Sequence, residues 1–210
     1  MAYRLTQEQL LADLHRAYYD ARRHKRSKPY QQHSERDAER LLWQICLELW
    51  NRTYRPGPST CFIITDPKQR EVFAAQFRDR IVHHLYYNYV HEMLERTFID
   101  DSYSCIRRRG THYGIRRLEQ HIRQESHNYT RPCYVLKMDI SGYFMHIDRC
   151  RLLDITLRRL RRMASHPTGT RATPPATVAG GDARAPVRWR DVVDMEFVAW
   201  LSRVIITSVT

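Results

Sequence analysis

The chain has 210 residues, with 35 Lys and Arg against 23 Asp and Glu, a formal net charge of +12. A hydrophobic content of 42% excludes global disorder, no run approaches the ~20 apolar residues of a membrane span, and Met1–Leu10 holds no secretory apolar region. The basic excess points to a polyanion, nucleic acid first and an anionic membrane surface second; a solvated Arg-rich surface gives the same number.

The predicted elements begin with a helix. Thr6 and Gln9 have capping-box spacing, and Leu10, Leu11, Leu14, Ala17 and Tyr18 form one apolar stripe. The charged stretch Arg22–Lys28 and Pro29 break the pattern. Ser34 and Asp37 offer a second cap, before Ala38, Leu41, Leu42, Ile45 and Leu49 repeat at helical spacing to about Trp50. Trp43 and Trp50 lie on a neighbouring face and are expected in the core, with an interface as the alternative. After the turn Pro56-Gly57-Pro58-Ser59, Cys61–Thr65 suits a strand, Asp66–Arg70 a hairpin tip and Val72–Ala75 the returning strand.

From about Arg78 to Arg96 the period is helical, with Ile81, Leu85 and Tyr89 on one face and Val82, Val90 and Met93 beside it. Arg107–His112 is a basic turn from which Thr111 caps a helix to about Gln124. Tyr134–Ile140 is the strongest strand signal in the sequence, with Lys137 and Asp139 on one face. Asp148 caps a helix carrying Leu152, Leu153, Ile155, Leu157 and Leu160 and ending in Arg158–Arg162. Residues 165–188 hold four of the nine prolines and three of the seven glycines, the composition of a flexible insertion. A last helix runs from about Trp189, with Val193, Phe197, Trp200, Leu201 and Val204 inward.

The five cysteines include no C-x-x-C pair, which indicates neither a zinc knuckle nor a disulfide framework; buried, reduced thiols in a cytoplasmic protein are the expectation. His84 and His91 stand too far apart for an i, i+4 metal pair.

Asp139 is the residue on which the chemistry turns. A carboxylate at the end of an apolar strand is costly without a partner. Magnesium is one such partner, since it takes one or two protein carboxylates together with substrate phosphates. A salt bridge or a helix cap is the alternative for an isolated D-I-x-x-Y-F string. Two cations at a hairpin tip, Lys68 and Arg70, suit a polyphosphate, and solvent-exposed charge is their alternative.

Three ordered blocks remove the isolation. Lys68–His84, with its R-D-R-x-V run, Phe98–Cys105 with Arg109-Gly110-Thr111-His112, and Val135–Asp148 together resemble the N-terminal half of bacterial reverse transcriptases, the relatives of group II introns, retrons and diversity-generating retroelements. The resemblance covers about Cys61–Thr156. It implies an α+β fold, the helix-rich fingers and partial palm of a right-hand polymerase, truncated before the second catalytic motif. Residues 1–60 would be an N-terminal helical region, 61–133 fingers, 134–164 the start of the palm, 165–188 an insertion and 189–210 a helix before the remainder.

The roles follow from the same resemblance. Asp139 would be catalytic and bind both magnesium ions, with the Ile140 carbonyl completing one coordination sphere. Phe144 would sit under the sugar of the incoming dNTP and disfavour a 2′-hydroxyl. Arg70, assisted by Lys68, would clamp the triphosphate. Arg78, Arg107, Arg108 and Arg109 would contact template–primer phosphates, because a copying enzyme must tolerate sequence. Asp79 and Arg80 would be structural. Partners would be an RNA template, a DNA primer and dNTP, with room for an accessory protein and no membrane.

Gly142–His146 departs from the usual family turn while keeping its aromatic pair, and no Tyr/Phe-x-Asp-Asp follows. The isolated chain is therefore expected to be an inactive fragment of an RNA-directed DNA polymerase. The alternative is a non-catalytic RNA- or RNA/DNA-binding remnant, or a basic structural protein whose charge is incidental.

Overall fold

The computed structural model describes residues 4–23, 37–66, 69–106, 108–165 and 194–208. Helix dominates, and the described strands form one antiparallel pair, so the fold is helix-rich α+β. The chain divides into two compact units, Met1–Val90 with Asp148–Thr210, and His91–Ile147.

In the first unit, α1 (Gln7–Arg22) starts at the expected capping box. Thr6 Oγ1 accepts from the Gln9 amide at 3.3 Å, and Gln9 Oε1 accepts from the Thr6 amide at 3.0 Å. Two otherwise orphaned amides of the first turn are thereby satisfied. Leu10, Leu14, Ala17, Tyr18 and Ala21 are buried, and Leu11 is half-buried. This stripe packs on α2 (Ala38–Trp50), which buries Leu42, Ile45, Cys46 and Leu49. Asp37 is the N-cap residue of α2 without a side-chain bond, and Ser34 lies outside the described residues.

Trp43 and Trp50 are exposed, at 49% and 44%, which corrects the expectation that they are core. The buried row of α2 runs through positions 42, 45, 46 and 49, and each tryptophan follows a buried residue by one position, about 100° further round the helix.

β1 (Thr60–Ile64) and β2 (Arg70–Ala74) pair from Thr60 opposite Ala74 to Ile64 opposite Arg70. Phe62, Ile63 and Phe73 remain about half-exposed, so the ribbon is covered on neither face. Next, α3 (Phe77–Glu95) buries the predicted face, with Ile81, Val82, Leu85, Tyr89, Val90 and Met93 all inward.

Within the first unit Tyr89 donates to Asp13 Oδ2 at 2.8 Å, Asn88 donates to Asp20 at 3.3 Å, and Tyr86 and Ser202 hydroxyls meet at 2.9 Å. These bonds tie α3 to α1 and to the C-terminal helix. Full burial of each leucine or isoleucine in this core contributes about 1.5–3 kcal/mol.

The later helices of this unit begin at aspartates. Asp148 Oδ1 accepts from the Arg151 amide at 3.0 Å at the start of α5 (Arg149–Ser165). Asp194 Oδ1 accepts from Glu196 and Phe197 amides at 3.1 and 3.0 Å at the start of α6 (Met195–Thr207). Trp189 and Val193 lie outside the described residues, as does the insertion after Ser165. α5 buries Leu157 and Leu160 and packs on α6, which buries Phe197, Val198, Leu201 and Ser202. Leu152 and Ile155 are exposed, and so are Arg158, Arg159, Arg161 and Arg162.

The second unit holds the end of α3, then α4 (Thr111–Glu125) and a 3₁₀ turn (Tyr143–His146). The residue preceding α4 as its cap is Gly110, not Thr111, and it has no side chain to offer. The chain leaves α4 through His127, Asn128 and Tyr129, all at positive φ; the Ser126 hydroxyl accepts from the Tyr129 amide at 2.8 Å.

Tyr134–Ile140 is not a strand. The segment is exposed throughout, and residues 132–141 make no backbone–backbone hydrogen bond among the described residues. Period-2 alternation specifies which side chains can share a face, but a strand exists only when a neighbour supplies its hydrogen bonds.

Candidate functional site

The implied phosphate-binding residues separate by environment. Arg70 opens β2, is exposed, and its side chain has no hydrogen bond or ion pair among the described residues. Lys68, its expected helper, and Arg107 lie outside the described residues. Arg108 is exposed at φ +65°, also without a described partner. Arg109 is half-buried, donates from Nη1 to the Asp100 carbonyl at 2.7 Å, and stands 5.8 Å from the Tyr113 ring centre.

Arg78 has a different setting. Its guanidinium pairs with Glu48, donates to the Arg55 carbonyl at 3.3 Å, approaches Asp79 at 3.4 Å and lies over the Tyr54 ring. Asp79 beneath it is buried to 1% exposure. Its Oδ1 accepts from the Tyr54 hydroxyl at 2.8 Å, and its Oδ2 accepts from the Gly57 amide at 2.9 Å. The R-D-R run thus fastens the Pro56-Gly57 turn to the first turn of α3, the structural role expected of Asp79. Burial first, then the bond to Asp79, holds the Tyr54 phenol well above its usual range. His83, one turn further along, is pushed below the ordinary histidine range by burial, against the pull of Asp79.

Asp139, Ile140 and Phe144 all belong to the second unit, whereas Arg70 belongs to the first. Asp139 is exposed, and its Oδ1 accepts from the Ile140 amide at 2.9 Å. Gly142 follows at φ +60°, a conformation in which a Cβ would stand 2.8 Å from His146 Nδ1. That left-handed residue starts the 3₁₀ turn, with Met145 and His146 amides donating to the Gly142 carbonyl at 3.0 and 3.2 Å. The turn leaves Phe144 84% exposed, its ring 5.2 Å from that of Tyr143 in an edge-on pair.

The donor chemistry fits magnesium in part. One exposed carboxylate with an adjacent backbone carbonyl supplies hard oxygen ligands, and such an ion takes its other ligands from water and substrate phosphate. No group of three or more His, Cys, Asp or Glu side chains able to hold a metal occurs among the described residues. Asp139 would thus supply one ligand to such an ion, and a second ion would need carboxylates from elsewhere.

Sequence reasoning missed the polar cluster on α4. Asp101 accepts from Tyr103 Oη at 2.7 Å, from Arg117 Nε at 2.8 Å, and meets His121 Nε2 at 2.8 Å. The i, i+4 spacing of Arg117 and His121 was the available signal. Arg117 first, then Tyr103, hold the Asp101 carboxyl well below the usual range. A depressed carboxylate contributes stability that is full above its unfolded value, ~4, and is lost as pH falls through the folded value. The stability gap between the natural chain and Asp101→Asn should therefore be level at neutral pH and shrink below about pH 4. Urea unfolding along a pH series measures this, and a gap that widens in acid would refute it.

The cysteine expectation needs correction. All five thiols are free, but only Cys46 is buried; Cys61, Cys105, Cys133 and Cys150 are exposed. Burial raises the Cys46 pKa. No helix among the described residues is long and apolar enough to cross a membrane. No protein-family model matches the chain, and no curated protein matches it.

Proposed function

We propose that this chain is the fingers and first palm segment of an RNA-directed DNA polymerase, acting with an RNA template, a DNA primer and dNTP. The observation that carries the reading is the placement of its basic blocks. Arg70 opens the returning strand of a hairpin with its guanidinium unpartnered among the described residues, and Arg78-Asp79-Arg80 occupies the first turn of the next helix. That is the element order the resemblance implies for the fingers.

In this reading Arg70 grips a triphosphate through paired N–H donors, the geometry in which a guanidinium surpasses an ammonium. Asp139 and the Ile140 carbonyl hold magnesium, which when bound neutralises phosphate charge and activates the attacking oxygen. Phe144, exposed beyond the Gly142 turn, presents a flat apolar ring to the sugar. Arg108 and Arg109 contact backbone phosphates without reading bases.

Equilibrium binding of a labelled dNTP, with magnesium and a primer–template present, tests the assignment. Arg70→Ala should weaken nucleotide binding about tenfold, the worth of a charged hydrogen-bonded contact, and Asp139→Asn should weaken it in magnesium but not in its absence. Retained hybrid binding with no nucleotide binding would replace the polymerase reading with that of a non-catalytic RNA/DNA-binding protein.

A further inference from the structure

Helix α4 is anchored on one side, where Arg117 and His121 bind Asp101. A different side carries a polar stripe. Arg116, Gln120, Arg123 and His127 repeat at i, i+4, i+7 and i+11, with Gln124 and Asn128 beside them. Together with Glu119 they line one open groove, and all of them are exposed. The stripe continues past the helix because the chain turns sharply there. His127, Asn128 and Tyr129 hold φ of +49°, +60° and +67°. Non-glycine residues adopt that backbone at a cost, and such residues collect at functional sites. The Asn128 amide donates to the Arg123 carbonyl at 2.8 Å, which keeps the turn against the end of α4.

The side chains of the stripe are differently engaged. Arg116 makes no side-chain hydrogen bond or ion pair among the described residues. Arg123 is fixed, donating from Nη2 to Glu119 at 2.7 Å and from Nε to the Tyr129 hydroxyl at 3.3 Å. Gln120 Oε1 accepts from Arg117 Nη1 at 2.9 Å, which leaves its N–H donors to the groove. The Gln124 and Asn128 side chains have no hydrogen bond among the described residues.

This chemistry narrows the ligand. The stripe presents no apolar side chain, so it lacks the anchors of a protein interface or a membrane surface. An unneutralised guanidinium suits a backbone phosphate. A row of amides, each with donors and an acceptor, suits hydroxyl groups. The ribose 2′-hydroxyl both donates and accepts, and an A-form duplex displays it in a wide, shallow minor groove. Gln120 and Gln124 stand about 6 Å apart along the helix axis, close enough to serve neighbouring nucleotides of one strand.

We infer that this face of α4 binds the RNA strand of an A-form duplex, with Arg116 on a phosphate and Gln120, Gln124 and Asn128 on ribose 2′-hydroxyls. The assignment rests on the polymerase reading, and within it α4 is the element that distinguishes an RNA template from a DNA one.

Fluorescence anisotropy of the full 210-residue chain with an RNA/DNA hybrid and a DNA duplex of the same sequence tests this. The natural chain should prefer the hybrid. Gln120→Ala/Gln124→Ala should weaken hybrid binding about tenfold while leaving DNA-duplex binding within about twofold. Both positions are exposed in a helix and alanine favours helix, so far-ultraviolet circular dichroism should not change. Arg116→Ala should weaken both ligands alike and lower the log–log salt slope by about one. A natural chain that binds both duplexes equally overturns the inference. So does a double variant that keeps the preference or loses both ligands equally, and so does an Arg116→Ala variant with an unchanged salt slope. In each of these cases hybrid binding persists and the polymerase reading stands. A natural chain that binds no hybrid overturns both.

Discussion

Asp79→Ala is expected to cost about 3–5 kcal/mol of stability, the range found when one partner of a buried, hydrogen-bonded charge pair is removed. The reason lies in what remains. The Tyr54 hydroxyl and the Gly57 amide both lose their acceptor, and Arg78 loses a neighbouring negative charge while still half-buried against Glu48. A buried donor without a partner carries its full desolvation cost, about 1–3 kcal/mol for a neutral group.

For a unit of this size the loss should lower the melting temperature by roughly 10 °C. Tyr54→Phe removes one donor and leaves Asp79 bonded to Gly57, so it should cost only about 1 kcal/mol. Thermal or urea unfolding of the two variants side by side gives the comparison. Equal losses would mean that Asp79 matters only through Tyr54, and that the Pro56-Gly57 turn does not depend on it.

The second large effect is on nucleic-acid affinity. A protein that neutralises backbone phosphates releases counterions, so affinity falls with salt at a slope of about 0.9 per contact for B-form duplex. Arg70, Arg108 and Arg109 are the candidate contacts whose surroundings are described and whose charge is not taken up by a carboxylate. Replacing all three with alanine should lower the log–log salt slope for an RNA/DNA hybrid by nearly three and weaken binding at low salt by two orders of magnitude or more.

Arg158 and Arg159, exposed on α5, serve as the contrast. Their replacement should leave the slope unchanged, because the fingers reading gives them no phosphate. Fluorescence anisotropy between about 50 and 200 mM salt resolves the difference. If the Arg158/Arg159 variant loses as much as the triple variant, the basic charge acts as a diffuse surface and the named contacts are wrong. Asp139→Asn should bind the hybrid as the natural chain does, since a metal ligand contributes little to phosphate-backbone contact without magnesium.

Much of the first unit was legible because its determinants are local. The Thr6/Gln9 box, the 3.6-residue period of α1, α2 and α3, and the Asp148 cap of α5 act within one or two turns. The hairpin was found within a residue or two of its ends, since a turn and two short apolar runs define it. Of the implied site residues, the exposure of Arg70 on the hairpin was also readable, whereas the engagement of Arg78 was not. Its neighbours Glu48 and Arg55 are distant in sequence, and only packing of the Pro56-Gly57 turn on α3 brings them within reach.

The sequence by itself determined the helical periods, the caps, the positive charge and the alternation of Tyr134–Ile140, because each is a property of residues a few positions apart. Tertiary structure decided what those patterns became. It turned Trp43 and Trp50 outward, since a helix buries only the row its neighbour covers. It left four cysteines in solvent for the same reason. It buried Asp79 with three partners drawn from a turn and a helix end. It also left the strongest strand pattern without a strand, because alternation is written in one segment and hydrogen-bond pairing needs two.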